Sequence, residues 1–214
     1  IQDITHHALL RQLEYFEADH GCAVVMETAT GEIKAISNLG RTSKGKYFEK
    51  RNYALWESHE PGSTFKLASL MAALDDKVID TSTVVDTEKG KVYIYNRKVE
   101  DSKRGGYGKI SAARVFEVSS NVGIVKLIRE HYDQNPGKFI SKLEKYGFKK
   151  PIGFQIKGEG LPYIPNPKDK KRWSKISLAW MSWGYGVSVT PMQTLMFYNA
   201  VANGGEMVKP RFIN

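Results

Sequence analysis

Two periodicities share this chain, and their order restricts its fold more than any other feature. Residues 22–37, CAVVMETATGEIKAIS, hold an apolar run, a turn containing Thr30-Gly31, and a run in which Ile33, Ala35 and Ser37 alternate with Glu32, Lys34 and Ile36. A two-residue period on both sides of a glycine turn predicts two neighbouring strands of one antiparallel sheet. Elsewhere the strongest apolar patterns are helical. Leu9, Leu10, Leu13 and Phe16 predict a helix within 5–18, ending near Gly21. A Pro-Gly break at 61–62 precedes a run of helix formers, so a helix is expected from about Ser63. Residues 111–132 read as two helical stretches broken near Ser119 to Asn121, and 137–148 as an amphipathic helix closed by Gly147. Thr190 as cap, Pro191 at the first helical position and Gly204 as stop bound a last helix reaching about Ala202. GRTSKGKYFEK reads as a loop and KVYIYN as a short strand. Strands first and helices after them imply an α+β fold, an antiparallel sheet with a helical block packed around it.

Composition narrows the classes. With 214 residues, 41% of them hydrophobic and 26% charged, the chain can bury the core of a domain, which excludes disordered and fibrous classes. No apolar stretch reaches the roughly 18 residues that cross a bilayer, and Ile1 begins without a signal sequence. The abrupt start, and an end just after KPRF that reads as the approach to a strand, give the expectation of a piece of a longer protein. The single cysteine, Cys22, excludes an internal disulfide and reads as core packing, and the five histidines show no metal-ligand spacing, so no metal or other cofactor is expected. A net charge of +9 points to an anionic partner, yet KDKKRW at 168–173 is the one dense basic cluster. Without interleaved aromatics it reads as a solvated loop, and no nucleic-acid partner is expected.

The chemistry-bearing residues lie where the patterns break. A serine hydroxyl needs a base within reach, and a lysine three residues on shares its helix face, so Ser63 and Lys66 present their side chains together. At a helix N-terminus the macrodipole disfavours the ammonium and keeps that lysine basic. Ser43 and Lys46 repeat the spacing, but in a glycine-flanked polar loop that fixes neither side chain. A second element is SSN at 119–121. Ser119 can relay a proton and Asn121 can bond a peptide-like substrate, or Ser119 or Ser120 can simply cap the following helix. His59, four residues before Ser63, invites a triad, but Lys66 already supplies a base. Trp180, Trp183 and Tyr185 suit a wet cleft edge, with core packing the plainer reading for the two tryptophans.

Ser-x-x-Lys followed by Ser-x-Asn resembles the signature of penicillin-binding proteins and serine beta-lactamases. VVMETATGEIKA, RNYALWESHEPGSTFKLASLMAAL, VSSNVGIVKL and SWGYGVSVTPMQTLMFYNAVANGG, in that order, resemble blocks of the monofunctional class B transpeptidases, over roughly residues 1–210. RNYALWESHEPGST together with KKRWSKISLAWMSWGYG is most similar to the division-specific, septal branch. The resemblance implies a penicillin-binding-protein transpeptidase fold and a peptidoglycan D,D-transpeptidase. Ser63 is then the acylated nucleophile, Lys66 its base, Ser119 the proton relay and Asn121 the substrate-binding amide. It implies stem peptides and beta-lactams as partners, membrane proteins of division or elongation around the full-length protein, and an anchor holding the domain outside the cytoplasm. It also implies a Lys-Thr/Ser-Gly strand beside the serine, which these 214 residues lack, so residues 1–214 are expected to form a transpeptidase domain cut before that strand. An oxyanion site without that strand's donor is expected to be impaired. A D,D-carboxypeptidase or beta-lactamase, which admits water to the acyl-enzyme, and a sensor domain acylated by beta-lactams are the alternatives.

Overall fold

The computed structural model describes residues 1–154 and 156–212. In chain order its elements are α1 (Gln2–Phe16), β1 (His20–Met26), β2 (Ile33–Arg41), β3 (Tyr47–Phe48), α2 (Tyr53–Trp56), a 3-10 turn (Gly62–Phe65), α3 (Lys66–Asp75), β4 (Val84–Asp86), β5 (Lys91–Ile94), β6 (Arg97–Glu100), β7 (Lys109–Ser111), α4 (Ala112–Glu117), α5 (Asn121–Tyr132), α6 (Pro136–Lys145), α7 (Ser177–Met181) and α8 (Pro191–Ala202). They sort into two units. The first comprises Ile1–His59, Lys150–Pro162 and the chain from Val189; the second comprises Glu60–Lys149 and Tyr163–Ser188.

The first unit is built on the expected hairpin. β1 and β2 pair antiparallel, with His20 opposite Gly40 and Val24 opposite Ile36, and β3 adds to the far edge of β2. Gly31 turns the hairpin at φ 73, and a Cβ there would lie 2.5 Å from the Lys209 carbonyl oxygen, so the position demands glycine on two counts. Helix α1 packs on this sheet through buried Leu13, and Gln2 brackets the Ile36 backbone with both ends of its amide, at 2.8 and 2.9 Å. Cys22, Val24, Ile33 and Ile36 pack against a core of Ala54 and Leu55 from α2 and Met192 from α8. Cys22 is therefore a packing residue, as its apolar run implied. Burial, with Glu57 as a lesser cause, pushes its thiol up to about 11, which leaves it inert.

The segment read as a loop contains β3. Gly40 lies opposite Phe48 and Arg41 opposite Tyr47, and the Tyr47 hydroxyl reaches the Leu13 and Ala18 carbonyls at 2.8 and 2.7 Å. That phenol anchors a strand too short to show a period.

In the second unit α3, α5, α6 and α7 share a core, with rings of Phe65 and Phe148 5.1 Å apart and those of Tyr132 and Phe139 5.4 Å apart. The Tyr132 hydroxyl ties α5 to the end of α3 through the Ala72 carbonyl at 2.9 Å and the Asp76 carboxylate at 2.8 Å. Two small antiparallel sheets flank the helices, β4 with β7 and β5 with β6. Gly147, at φ 84, ends α6 as expected; its N–H and that of Phe148 donate to Glu144 and Leu143 carbonyls, both at 3.1 Å. The KVYIYN strand is only half of a hairpin, because Tyr95-Asn96 forms a two-residue turn into β6.

Helix α8 begins with a reciprocal cap. The Thr190 hydroxyl accepts the Gln193 N–H at 3.1 Å, and the Gln193 side chain accepts the Thr190 N–H at 3.0 Å, with Pro191 at the first position. Thr190→Ala removes the hydroxyl half of this box and is expected to destabilise the fold by about 1 kcal/mol. Thermal denaturation should then show a midpoint lower by roughly 2–4 °C, and an unchanged midpoint would contradict this account of the cap.

Candidate functional site

Ser63, Lys66, Ser119 and Asn121 all lie in the second unit, on elements fixed by specific backbone contacts. Segment 60–62 is held first. The Gly62 N–H donates to the Gly184 carbonyl at 3.1 Å, and the Gly186 N–H donates to the Glu60 carboxylate at 2.8 Å. The backbones meet so closely that a Cβ on Gly184 would stand 2.0 Å from the Gly62 oxygen, and Gly184 sits at φ 88 besides. From this clamp the chain enters the 3-10 turn that carries exposed Ser63.

That turn corrects the expectation of an α-helix from Ser63. The α-helix begins at Lys66, whose N–H donates to the Ser63 carbonyl across the turn. With three residues per turn, a 3-10 segment eclipses positions three apart, which sets Lys66 under Ser63 more directly than an α-helix would. Ser63 stays at the surface while Lys66, 1% exposed, points into the unit.

The buried ammonium meets the turn between α4 and α5. Lys66 Nζ donates to the Ser119 carbonyl at 2.6 Å, to Ser119 Oγ at 2.9 Å and to Asn121 Oδ1 at 2.6 Å. Burial lowers its pKa to about 8, while the charge of Asp101 acts in the opposite sense. Desolvation, rather than the helix dipole expected from the sequence, is thus the dominant cause.

Three side chains hold that turn in place. Ser119 adopts φ 53, a left-handed conformation that a non-glycine residue occupies under strain. Ser120 is the cap of α5, accepting the Gly123 N–H at 2.9 Å, so the capping role left open between the two serines falls to Ser120 and leaves Ser119 facing Lys66. Ser120 Oγ also donates to both oxygens of Asp101, at 3.0 and 3.1 Å, and Asp101 accepts the Val122 N–H at 3.0 Å. Asn121 Nδ2 donates to the Glu100 carbonyl at 2.8 Å, which aims Oδ1 at Lys66. Asp101 and the Gly62–Gly184 contact are the features of the site that sequence reasoning missed, while Ser120 was read there only as a possible cap. A charged residue at the end of a strand pattern carries no signal of its own, and Gly184 was visible only as part of a glycine-rich block.

Other candidates fall elsewhere. Ser43 and Lys46 are both exposed on the turn joining β2 and β3, closed by the Thr42–Lys46 backbone bond. His59 belongs to the first unit, where its backbone bridges Val189, and no side-chain hydrogen bond engages its ring among the described residues. Trp180 and Trp183 are half-buried and stack edge to face at 6.0 Å, and Trp183 also meets exposed Tyr185 at 4.5 Å, so the pair is not core. Among the described residues no His, Cys, Asp and Glu group has metal-site geometry, and no helix is long and apolar enough to cross a membrane.

The model of the penicillin binding protein transpeptidase domain matches residues 21–214. The chain belongs to that transpeptidase family. Stage V sporulation protein D of Bacillus subtilis is 29% identical over 216 residues, covering 98% of this chain and 32% of that protein. Peptidoglycan D,D-transpeptidase FtsI of Escherichia coli K12 is 29% identical over 213 residues, covering 96% of this chain and 34% of the other. The chain spans about a third of the length of these curated relatives. The apo transpeptidase domain of Burkholderia pseudomallei penicillin-binding protein 3 superposes with a TM-score of 0.81 at 26% identity, over 97% of this chain and 57% of that one. The α+β transpeptidase fold implied by the sequence is therefore the one observed.

The strain at Ser119 can be measured within the transpeptidase domain. Ser119→Gly and Ser119→Ala remove the same hydroxyl, but glycine accepts φ 53 freely. The glycine variant should be more stable than the alanine variant by about 1 kcal/mol, the reverse of the usual order. Chemical denaturation of both variants decides it, and an alanine variant at least as stable would show that the turn is unstrained.

Proposed function

We propose that this chain is the acylating part of a peptidoglycan D,D-transpeptidase, with Ser63 as nucleophile. The observation that carries the reading is the burial of Lys66 Nζ against Ser119 and Asn121, one 3-10 turn from an exposed serine. A lysine with its pKa lowered to about 8 is unprotonated in a useful fraction near neutral pH, whereas an ordinary lysine is not.

In this reading Lys66 takes the Ser63 proton as Oγ attacks the carbonyl of the penultimate D-Ala of a stem peptide. The C–N bond to the terminal D-Ala breaks, and Ser119, hydrogen-bonded to Lys66, passes a proton to the leaving amine. The amine of a neighbouring stem then takes the acyl group and frees Ser63. Asn121 has one Nδ2 hydrogen engaged by Glu100 and offers the other to the substrate backbone. The Ser63 N–H, in the first helical turn and without a helical acceptor, supplies one oxyanion donor. A second donor and a cation for the substrate carboxylate belong to a Lys-Thr/Ser-Gly strand that this sequence does not contain. Beta-lactams acylate the same serine. A septal role on the extracytoplasmic face of the membrane, among division proteins, belongs to the same reading and is supported by the septal-branch resemblance of RNYALWESHEPGST and KKRWSKISLAWMSWGYG.

In the full-length protein a fluorescent penicillin should label one serine, on the tryptic peptide that contains Ser63. Label retained in Ser63→Ala but lost in Ser43→Ala would overturn the assignment. Lys66→Arg keeps the charge but cannot deprotonate, so acylation should fall by about a hundredfold or more at pH 8. Near-normal labelling of that variant would show that Lys66 is not the base.

A further inference from the structure

The basic segment that composition left unexplained is not featureless. Lys168, Lys170, Lys171, Arg172 and Lys175 are all exposed, and none of the four lysines pairs with a carboxylate among the described residues, while Arg172 comes no nearer than 4.0 Å to Asp169. Cations crowded without counter-charges repel one another, a cost that an anionic partner relieves. Two of them are fixed on aromatic faces. Arg172 lies over Tyr163 at 5.9 Å and Lys175 Nζ over Tyr95 at 5.5 Å.

Tyr95 itself extends the patch. It occupies the two-residue turn between β5 and β6 at φ 54, a position that favours asparagine or glycine, and it is 60% exposed. A bulky residue in the left-handed region at the surface gains nothing from burial, so its ring stands free in solvent. Here it presents a flat aromatic face beside Lys175, joining the basic segment to a hairpin that brings exposed Arg97, while Lys98 on the same hairpin is paired with Glu100 at 2.6 Å.

Both halves of this rim are continuous in sequence with segments that hold the site. At one end Glu100, closing β6, accepts the Asn121 amide at 2.8 Å; at the other the same stretch of chain that holds Lys175 continues to Gly184, which accepts the N–H beside Ser63. We propose that the Tyr95–Lys175 rim is a docking surface for an anionic, carboxylate-bearing peptidoglycan strand, seated so that its stem peptides reach Ser63. This rests on the transpeptidase reading and adds to it the part of the substrate held away from the reacting bond. Ammonium groups suit the free carboxylates of stem peptides, and exposed tyrosine faces with polar tips suit sugar rings.

The test uses the full-length protein and soluble, teichoic-acid-free peptidoglycan strands, with binding followed by fluorescence anisotropy at low and at physiological salt. The charge-reversed variant Lys170→Glu/Lys171→Glu/Lys175→Glu should bind strands about tenfold or more weakly, with the wild-type affinity falling steeply as salt rises. Tyr95→Gly, which relaxes the turn and so keeps the hairpin, should weaken binding severalfold. Penicillin acylation of Ser63 should stay within about twofold in both variants, because the rim lies outside the acylating machinery. Unchanged strand binding in the triple variant would overturn the proposal, as would equal or tighter binding of phosphatidylglycerol vesicles through the same lysines. Failure of the wild-type protein to be acylated at all would instead count against the transpeptidase reading, leaving the strand-binding comparison to stand by itself.

Discussion

Everything about the site depends on a lysine held where water cannot stabilise its charge. Lys66 is 1% exposed, and its ammonium sees two oxygens of Ser119 and one of Asn121. Three acceptors favour the charged form and burial disfavours it; burial prevails, and the group sits at about 8. Were Lys66 to turn outward, the Ser119 carbonyl and hydroxyl and Asn121 Oδ1 would lose their shared donor, and Ser63 would be an ordinary surface hydroxyl. The helices of the second unit can be read as the scaffold that prevents this.

That scaffold works by joining segments remote in sequence. Lys66 meets a turn 53 to 55 residues later, and Gly62 meets Gly184 later still. Each meeting is secured by a residue whose alternatives are excluded. Glycine alone fits at 184, and a carboxylate at 101 can accept Ser120 Oγ and the Val122 N–H together. Asp101, 5% exposed, is therefore a structural keystone of the Ser119–Asn121 turn, and its charge also moderates how far Lys66 is displaced.

Much of this was legible in the sequence where local chemistry decides the outcome. The hairpin around Gly31, the capped helix from Pro191 to Ala202, the closure at Gly147 and the break at 119–121 all follow from period, caps and glycine. The site pairs were legible because Ser-x-x-Lys is a spacing rule, and the context that separates Ser63 from Ser43 is itself local. Other features were settled by distant contacts. Strand β3 depends on Tyr47 finding carbonyls at the end of α1, and the 3-10 turn at 62–65 follows the backbone clamp to Gly184. Asp101 matters only because Ser120 and Val122 fold onto it. The basic segment was read as a solvated loop for lack of interleaved aromatics; its tyrosines, 95 and 163, come from elsewhere in the chain.

The most direct measurement of the central claim is the protonation of Lys66 itself. Lysine labelled with 13C at Cε gives one resonance per side chain, and comparison with Lys66→Met identifies the one that belongs to position 66. The account predicts that this resonance titrates with a midpoint near 8, far below its ordinary value of 10.5. It further predicts that Asp101→Asn moves the midpoint lower still, since the carboxylate's charge raises it. A Lys66 midpoint near 10.5 would contradict the account, because an ammonium that never gives up its proton near neutral pH cannot activate Ser63.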